Sequence, residues 1–209
     1  GEGAILFHEI LGHSLEADYV CQGVSPFTLS DLDRAIVPPQ ITIHCRADRA
    51  PFFKHVVADD EGEACPSPLL VENGVLRRFI SDYSCQRMLR LGDRGHARQE
   101  DFGCIPQPRM FATYVQPGRY PAAEIIASTP YGIYAREFGA GGLDFQSGRF
   151  FFNIRQSYLI EQGRLTAPVG NLTVGGRIRE ILNDIGMVGD DFKYDRGVSY
   201  CQKNGQILP

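Results

Sequence analysis

Two Asn-Gly pairs, Asn73-Gly74 and Asn204-Gly205, each stand between short runs of apolar residues. Asn-Gly suits a type I′ turn, in which both central residues take positive φ, and that turn joins neighbouring antiparallel strands. The chain must therefore double back within a few residues at both places. Residues 69–72 pair with residues 75–80, and residues 200–208 form a second hairpin. A third turn, Glu161-Gln162-Gly163, closes a strand-like run over 150–160. Ile41, Ile43 and Cys45 alternate with polar residues, as a half-buried strand requires, and residues 110–115 and 125–128 also read as strands.

Helical signals are fewer. Ala4, Phe7, Leu11 and Leu15 recur at steps of three and four, predicting an apolar helical face within residues 4–20. Asp82 caps a short helix running to Arg90 and closed by Gly92, and residues 177–185 predict a further helix ending at Gly186. Many tightly turned strands with few helices give an α+β fold whose strands are mostly antiparallel. There is no repeat, low-complexity stretch or linker, so residues 1–209 read as one domain.

A chain of 209 residues buries a sizeable core without metal or disulfides, so a metal here serves chemistry rather than folding. The net charge of −4 argues against direct binding of nucleic acid. No apolar run approaches the roughly 18 residues of a membrane span. The six cysteines are widely and irregularly spaced, without a CxxC pair, which predicts reduced, mostly buried thiols and a cytoplasmic setting. The chain begins without Met and ends within an apolar run, as expected of a piece of a longer protein.

Most of the chemistry lies in His8-Glu9-Ile10-Leu11-Gly12-His13. Two neutral imidazoles from one helix can bind one zinc ion, and a glutamate beside the first ligand can take a proton from water at that ion. The familiar spacing is H-E-x-x-H, but this chain has one residue more. On an α-helix, positions i and i+4 lie about 40° apart and i and i+5 about 140° apart, so His8 and His13 do not converge. A single π-type turn brings them together, and Gly12 is placed to ease it. A catalytic zinc site commonly has a third protein ligand. Spacing leaves that place open among Glu16, Asp18, Cys21 and Cys201.

Other polar features read more plainly. Asp59-Asp60-Glu61-Gly62 lacks the pattern of a calcium loop and predicts a solvated turn. His44, His55 and His96 have no evident partner. The run Gly139-Ala140-Gly141-Gly142 is either a flexible turn or a strand edge where a substrate backbone pairs, with Gly141 and Gly142 as substrate-binding candidates.

The stretch Gly3-Ala4-Ile5-Leu6-Phe7-His8-Glu9 through Asp18 resembles the signature of the TldD/PmbA family, metallopeptidases first called modulators of DNA gyrase. Collinear similarity continues through Asp59-Asp60-Glu61-Gly62, Leu70-Val71-Glu72-Asn73-Gly74-Val75-Leu76 and Pro108-Arg109-Met110. It runs on through Gly141-Gly142, Gly148-Arg149-Phe150 and Tyr158-Leu159-Ile160-Glu161-Gln162-Gly163, closing at Cys201-Gln202-Lys203-Asn204-Gly205-Gln206. The resemblance implies the C-terminal domain of a TldD-like catalytic subunit whose N-terminal domain is absent. It also implies zinc held by His8, His13 and Cys201, with Glu9 as the catalytic base. Unfolded or small peptides are the implied substrates, and a homodimer or a heterodimer with a related subunit the implied assembly. Two departures stand out: Gln202 follows the cysteine where the family often has Gly, and Ala112 stands where it often has Asn. Two other classes fit the same residues, a peptide-binding subunit without catalysis and a cysteine nucleophile with a histidine base.

Overall fold

The computed structural model describes residues 3–48, 56–65, 68–194 and 200–208, and His55 lies outside the described residues. The segment expected as one helix over 4–20 is four short pieces. They are α1 (Ala4–Phe7), a π-turn over His8–Gly12, a 3-10 turn over His13–Leu15, and α2 (Ala17–Cys21). Leu11 and Leu15 hold the predicted apolar face in the core. The interruption is Glu16, extended at φ −73° and ψ 124°. A backbone bridge to Ile80 takes over there: Ile80 N–H donates to the Leu15 carbonyl and Ala17 N–H to the Ile80 carbonyl, each at 2.8 Å. The backbone groups that leave the helix are thereby satisfied.

The first sheet packs against this segment. Its strands are β1 (Ile43–Arg46), β2 (Leu69–Glu72) and β3 (Val75–Leu76), joined after α3 (Tyr83–Leu89) and the pair β4 (Ala97–Arg98) and β5 (Gln107–Pro108) by β6 (Ala112–Val115). The order is β3-β2-β1-β6, with β1 antiparallel to both neighbours. Asn73 and Gly74 take φ of 48° and 83°, as the predicted hairpin demands. The second strand is shorter than residues 75–80 because Ile80 is diverted to the Glu16 bridge. Asp82 caps α3 by accepting from Cys85 N–H at 2.7 Å, and the helix stops at left-handed Arg90, before Gly92.

Residues 125–128, expected as a strand, are helical. Residues 125–127 belong to α4 (Ala122–Ala127), which follows Pro121, and Ser128 is its C-cap. Ala122, Ala123, Glu124 and Ala127 are strong helix formers, and they outweigh the β-preference of Ile125-Ile126. The second sheet is built from β7 (Tyr131–Asp144), β8 (Arg149–Glu161), β9 (Arg164–Val169) and β10 (Leu172–Arg177). Its order is β10-β8-β7, with β9 also on β8, so β7 is an edge. The turn after β8 has positive φ at Gln162 and Gly163, as predicted. Then come α5 (Ile178–Asn183) and the hairpin of β11 (Cys201–Lys203) and β12 (Gln206–Leu208), turning at Asn204 and Gly205 with φ of 49° and 82°.

The result is α+β with antiparallel strand pairing throughout both sheets, as the turn signals imply. One buried cluster joins Leu11 and Leu15 to Leu70 and Ile80 of the first sheet side, Phe150 and Phe152 of β8, and Ile178 and Leu182 of α5. No helix among the described residues is long and apolar enough to cross a membrane. All six cysteines are free thiols.

Candidate metal centre

His8 and His13 meet because the helix widens by one residue between them. The backbone N–H of His13 donates to the carbonyl of His8, five residues back, which is the π-turn that the spacing requires. The two imidazole rings then lie 4.8 Å apart, nearly perpendicular. Gly12 has ordinary helical dihedrals, φ −54° and ψ −59°, so it is not needed for backbone freedom. Its lack of a side chain makes room for Met110, whose sulfur would lie 2.1 Å from an added Cβ.

The C-terminal hairpin supplies the fourth group. The Cys201 thiol lies 2.8 Å from His13 Nε2. Candidate ligand atoms of His8, Glu9, His13 and Cys201 all fall within 4.8 Å of one another. Around a tetrahedral zinc with bonds of about 2.0–2.3 Å, ligand atoms lie roughly 3.5 Å apart. Two imidazoles, a thiol and a carboxylate gathered within 4.8 Å bracket that spacing, and the donor types are those zinc prefers.

The hairpin is fixed by groups from the preceding loops. Arg109 Nη2 donates to the Cys201 carbonyl at 2.8 Å, Gln107 Nε2 to the Lys203 carbonyl at 3.2 Å, and Asn204 Nδ2 to Gln107 Oε1 at 2.9 Å. Arg109 is 3% exposed and its Nη1 has no hydrogen-bond partner.

Of the other residues that spacing allowed as a third ligand, none joins the group. Glu16 Oε2 accepts from His13 Nδ1 at 2.7 Å and from Lys203 Nζ at 2.9 Å. Asp18 Oδ1 accepts from the same ammonium at 2.8 Å. Cys21 is not among the grouped ligand atoms. Lys203 carried no role in the sequence reading. The available signal was its place two residues after Cys201, since alternate residues of a strand share a face.

The electrostatics favour a neutral, ligand-ready His8 but a charged His13, which must give up its Nε2 proton to bind a metal. Burial, and after it His13, push His8 down to about 3, so its imidazole is neutral. Burial also lifts the Glu9 carboxyl above its ordinary range. Burial alone would discourage charge on His13, but the Glu16 carboxylate beside it and the Cys201 thiol raise its pKa. Burial likewise opposes ionisation of Glu16, and His13 and Lys203 overcome this to hold its pKa low.

Elsewhere, Gly141 is needed by the sheet itself. An added Cβ would lie 2.2 Å from the Phe152 ring and 2.4 Å from the Phe151 carbonyl, where the β7–β8 register shifts. At Gly142 an added Cβ would make only ordinary contact, 3.9 Å from the Phe151 ring. Residues 59–62 form the expected turn, exposed at residues 60–62, but Asp59 is buried: its Oδ1 accepts from Glu61 and Glu63 N–H and its Oδ2 from Ala97 N–H. His44 stacks on Tyr114, and His96 is buried beside Phe111.

Known proteins are similar to this chain along nearly its whole length. The model of the PmbA/TldA metallopeptidase C-terminal domain matches residues 3–207. A protein named metalloprotease TldD homolog, from Buchnera aphidicola subsp. Acyrthosiphon pisum, is 36% identical over 100% of this chain and 43% of its own length. One named zinc metalloprotease TldD homolog, from Saccharolobus solfataricus, is 30% identical over 98% of this chain and 45% of its own. The crystal structure of TldE from Thermococcus kodakarensis shares the fold with a TM-score of 0.77 and 19% identity, covering 90% of this chain and 42% of that one. The chain thus spans less than half the length of these relatives. A match along nearly every residue, with relatives above 30% identity over the whole chain, shows that this chain belongs to the PmbA/TldA metallopeptidase family and corresponds to its C-terminal domain.

Proposed function

We propose that this chain carries the active centre of a zinc-dependent peptidase, in which His8, His13 and Cys201 hold the metal and Glu9 is the general base. The observation that carries the reading is the convergence of these four side chains, from residues 193 positions apart at the extremes, to within 4.8 Å. When bound, zinc supplies Lewis acidity that polarises a peptide carbonyl and acidifies water.

The chain's own groups do the rest. Glu9 lies next to the first ligand and faces the same small space as the other three groups. Its carboxylate takes a proton from the attacking water as the C–O bond forms, and returns it to the amine nitrogen as the C–N bond breaks. His13 presents Nε2 to the site because its Nδ1 is engaged by Glu16. The edge strand β7 packs against the π-turn, and an extended peptide would pair with its outer edge near Gly141 and Gly142. Edge pairing reads backbone rather than side chains, which suits unfolded or small peptides as substrates.

The complete enzyme extends beyond this chain, and we infer that it works as a homodimer or as a heterodimer with a related subunit. The test is peptide hydrolysis by the full-length protein, with and without its related subunit, before and after chelation. Activity lost on chelation and restored by zinc supports the reading. A metal-loaded protein that binds peptides without cleaving them replaces it with the binding-subunit class. Activity insensitive to chelators but abolished by thiol alkylation replaces it with a cysteine nucleophile.

A further inference from the structure

Glu16 and Asp18 are bound up in a buried cluster beside the metal group rather than in it. The Glu16 side chain is fully buried, and its Oε2 is shared between His13 Nδ1 at 2.7 Å and Lys203 Nζ at 2.9 Å. Lys203 is equally buried and spends its three donors on Glu16, on Asp18 at 2.8 Å and on the Pro108 carbonyl at 2.8 Å. The ammonium also lies 4.6 Å from the centre of the Tyr19 ring. A buried lysine with every proton placed is affordable only because two carboxylates face it.

The spacing within each segment matches across the gap. Cys201 and Lys203 are alternate residues of β11, so both project from one face toward the 13–18 segment. Cys201 meets His13, and Lys203 meets Glu16, which His13 also contacts. Glu16 can reach both because it leaves the helix, extended and pinned by the Ile80 bridge. Glu16 engages His13 through Nδ1, which turns Nε2 toward Cys201 and the rest of the metal group.

We propose that Glu16, anchored by Lys203, is a positioning residue for His13, and that this buried pair is the latch that brings Cys201 to the metal group. The inference rests on the metal-site reading above. Carboxylates that hold a ligating histidine by its second nitrogen fix ring orientation and tautomer, and losing one typically costs about 10–100-fold in metal affinity. Lys203 adds a mechanical link, because the same strand carries the thiol.

The test measures zinc affinity by chelator competition, and the absorption spectrum of the cobalt-substituted form, in the full-length protein. Glu16→Gln, Lys203→Met, His13→Ala and Cys201→Ala are compared with wild type, each also checked metal-free for fold by circular dichroism. Glu16→Gln is expected to weaken zinc about 10–100-fold and shift the cobalt d–d bands. Lys203→Met is expected to weaken zinc at least about 10-fold and diminish the thiolate-to-cobalt charge-transfer band, with Glu16→Gln keeping that band. Wild-type affinity and spectra in both variants, while His13→Ala and Cys201→Ala lose the metal, overturn the latch and leave the metal site standing. Loss of the metal-free fold in both variants assigns the cluster to folding alone and also overturns it. Failure of wild type itself to take zinc or cobalt instead removes the metal-site reading.

Discussion

The His13 N–H donates to the His8 carbonyl five positions back, and this one widened turn places two histidines on the same side of the helix. An ordinary α-turn closes at four residues and would send the two rings about 140° apart. The one-residue-longer motif and the backbone irregularity are therefore a single structural fact.

The widened turn is packed against Met110 through Gly12, whose added Cβ would lie 2.1 Å from the Met110 sulfur. Gly12→Ala should therefore destabilise the protein by about 1–3 kcal/mol through overpacking, despite alanine's better helix propensity. Chemical denaturation measures this. A gain in stability would mean that Met110 moves aside without cost. Met110→Ala combined with Gly12→Ala should recover part of the loss attributable to the clash.

Glu9 shares the site but is assigned the proton rather than the metal. Glu9→Gln should keep zinc near the wild-type stoichiometry while lowering kcat by at least about 100-fold, the usual scale of a lost general base. Metal content and peptide turnover, measured on the same preparation, separate the two roles. Undiminished turnover in that variant rules Glu9 out as the base.

His96 is an acid-sensitive element that is not one of the grouped ligands. It is 2% exposed, its Nε2 has no hydrogen-bond partner, and burial first and Arg78 second push it down to about 4 from an ordinary 6.5. Below about pH 6.5 the unfolded chain takes up a proton that the native chain refuses until about pH 4. Stability from this group is thus fully present above 6.5 and falls with pH, by on the order of 3 kcal/mol across that window. His96→Leu should lose less stability than wild type between neutral pH and pH 5, as read by denaturant melts. Parallel pH profiles for the two proteins would contradict the assignment.

Asp82 accepts the Cys85 N–H at the start of α3. Asp82→Ala should cost about 0.5–2 kcal/mol, and Asp82→Asn much less, because asparagine caps nearly as well. Equal losses in both variants would show that charge rather than capping matters at this position.

Local chemistry made several of these elements legible from residues alone. Asn73-Gly74, Asn204-Gly205 and Gln162-Gly163 all take the positive φ that their turns require. The i to i+5 histidine spacing called for a π-turn, which is present. Sequence periodicity failed where context overrode it. Ile125-Ile126 look like strand but sit among helix formers after Pro121, and β7 is obscured by its glycines and charges. The helix expected through residue 20 breaks at Glu16 because Ile80, far along the chain, supplies the backbone partners. Cys201 could be singled out only through family resemblance, since spacing ranked it no higher than Glu16, Asp18 or Cys21. The Glu16–Lys203 pair spans 187 positions, and no local pattern joins them.

The most direct measurement is zinc stoichiometry in the purified protein for wild type, His13→Ala and Cys201→Ala. About one zinc per wild-type chain is expected, with a marked reduction in both variants. Zinc retained at wild-type affinity in Cys201→Ala, or none in reconstituted wild type, would contradict a centre formed by His8, His13 and Cys201.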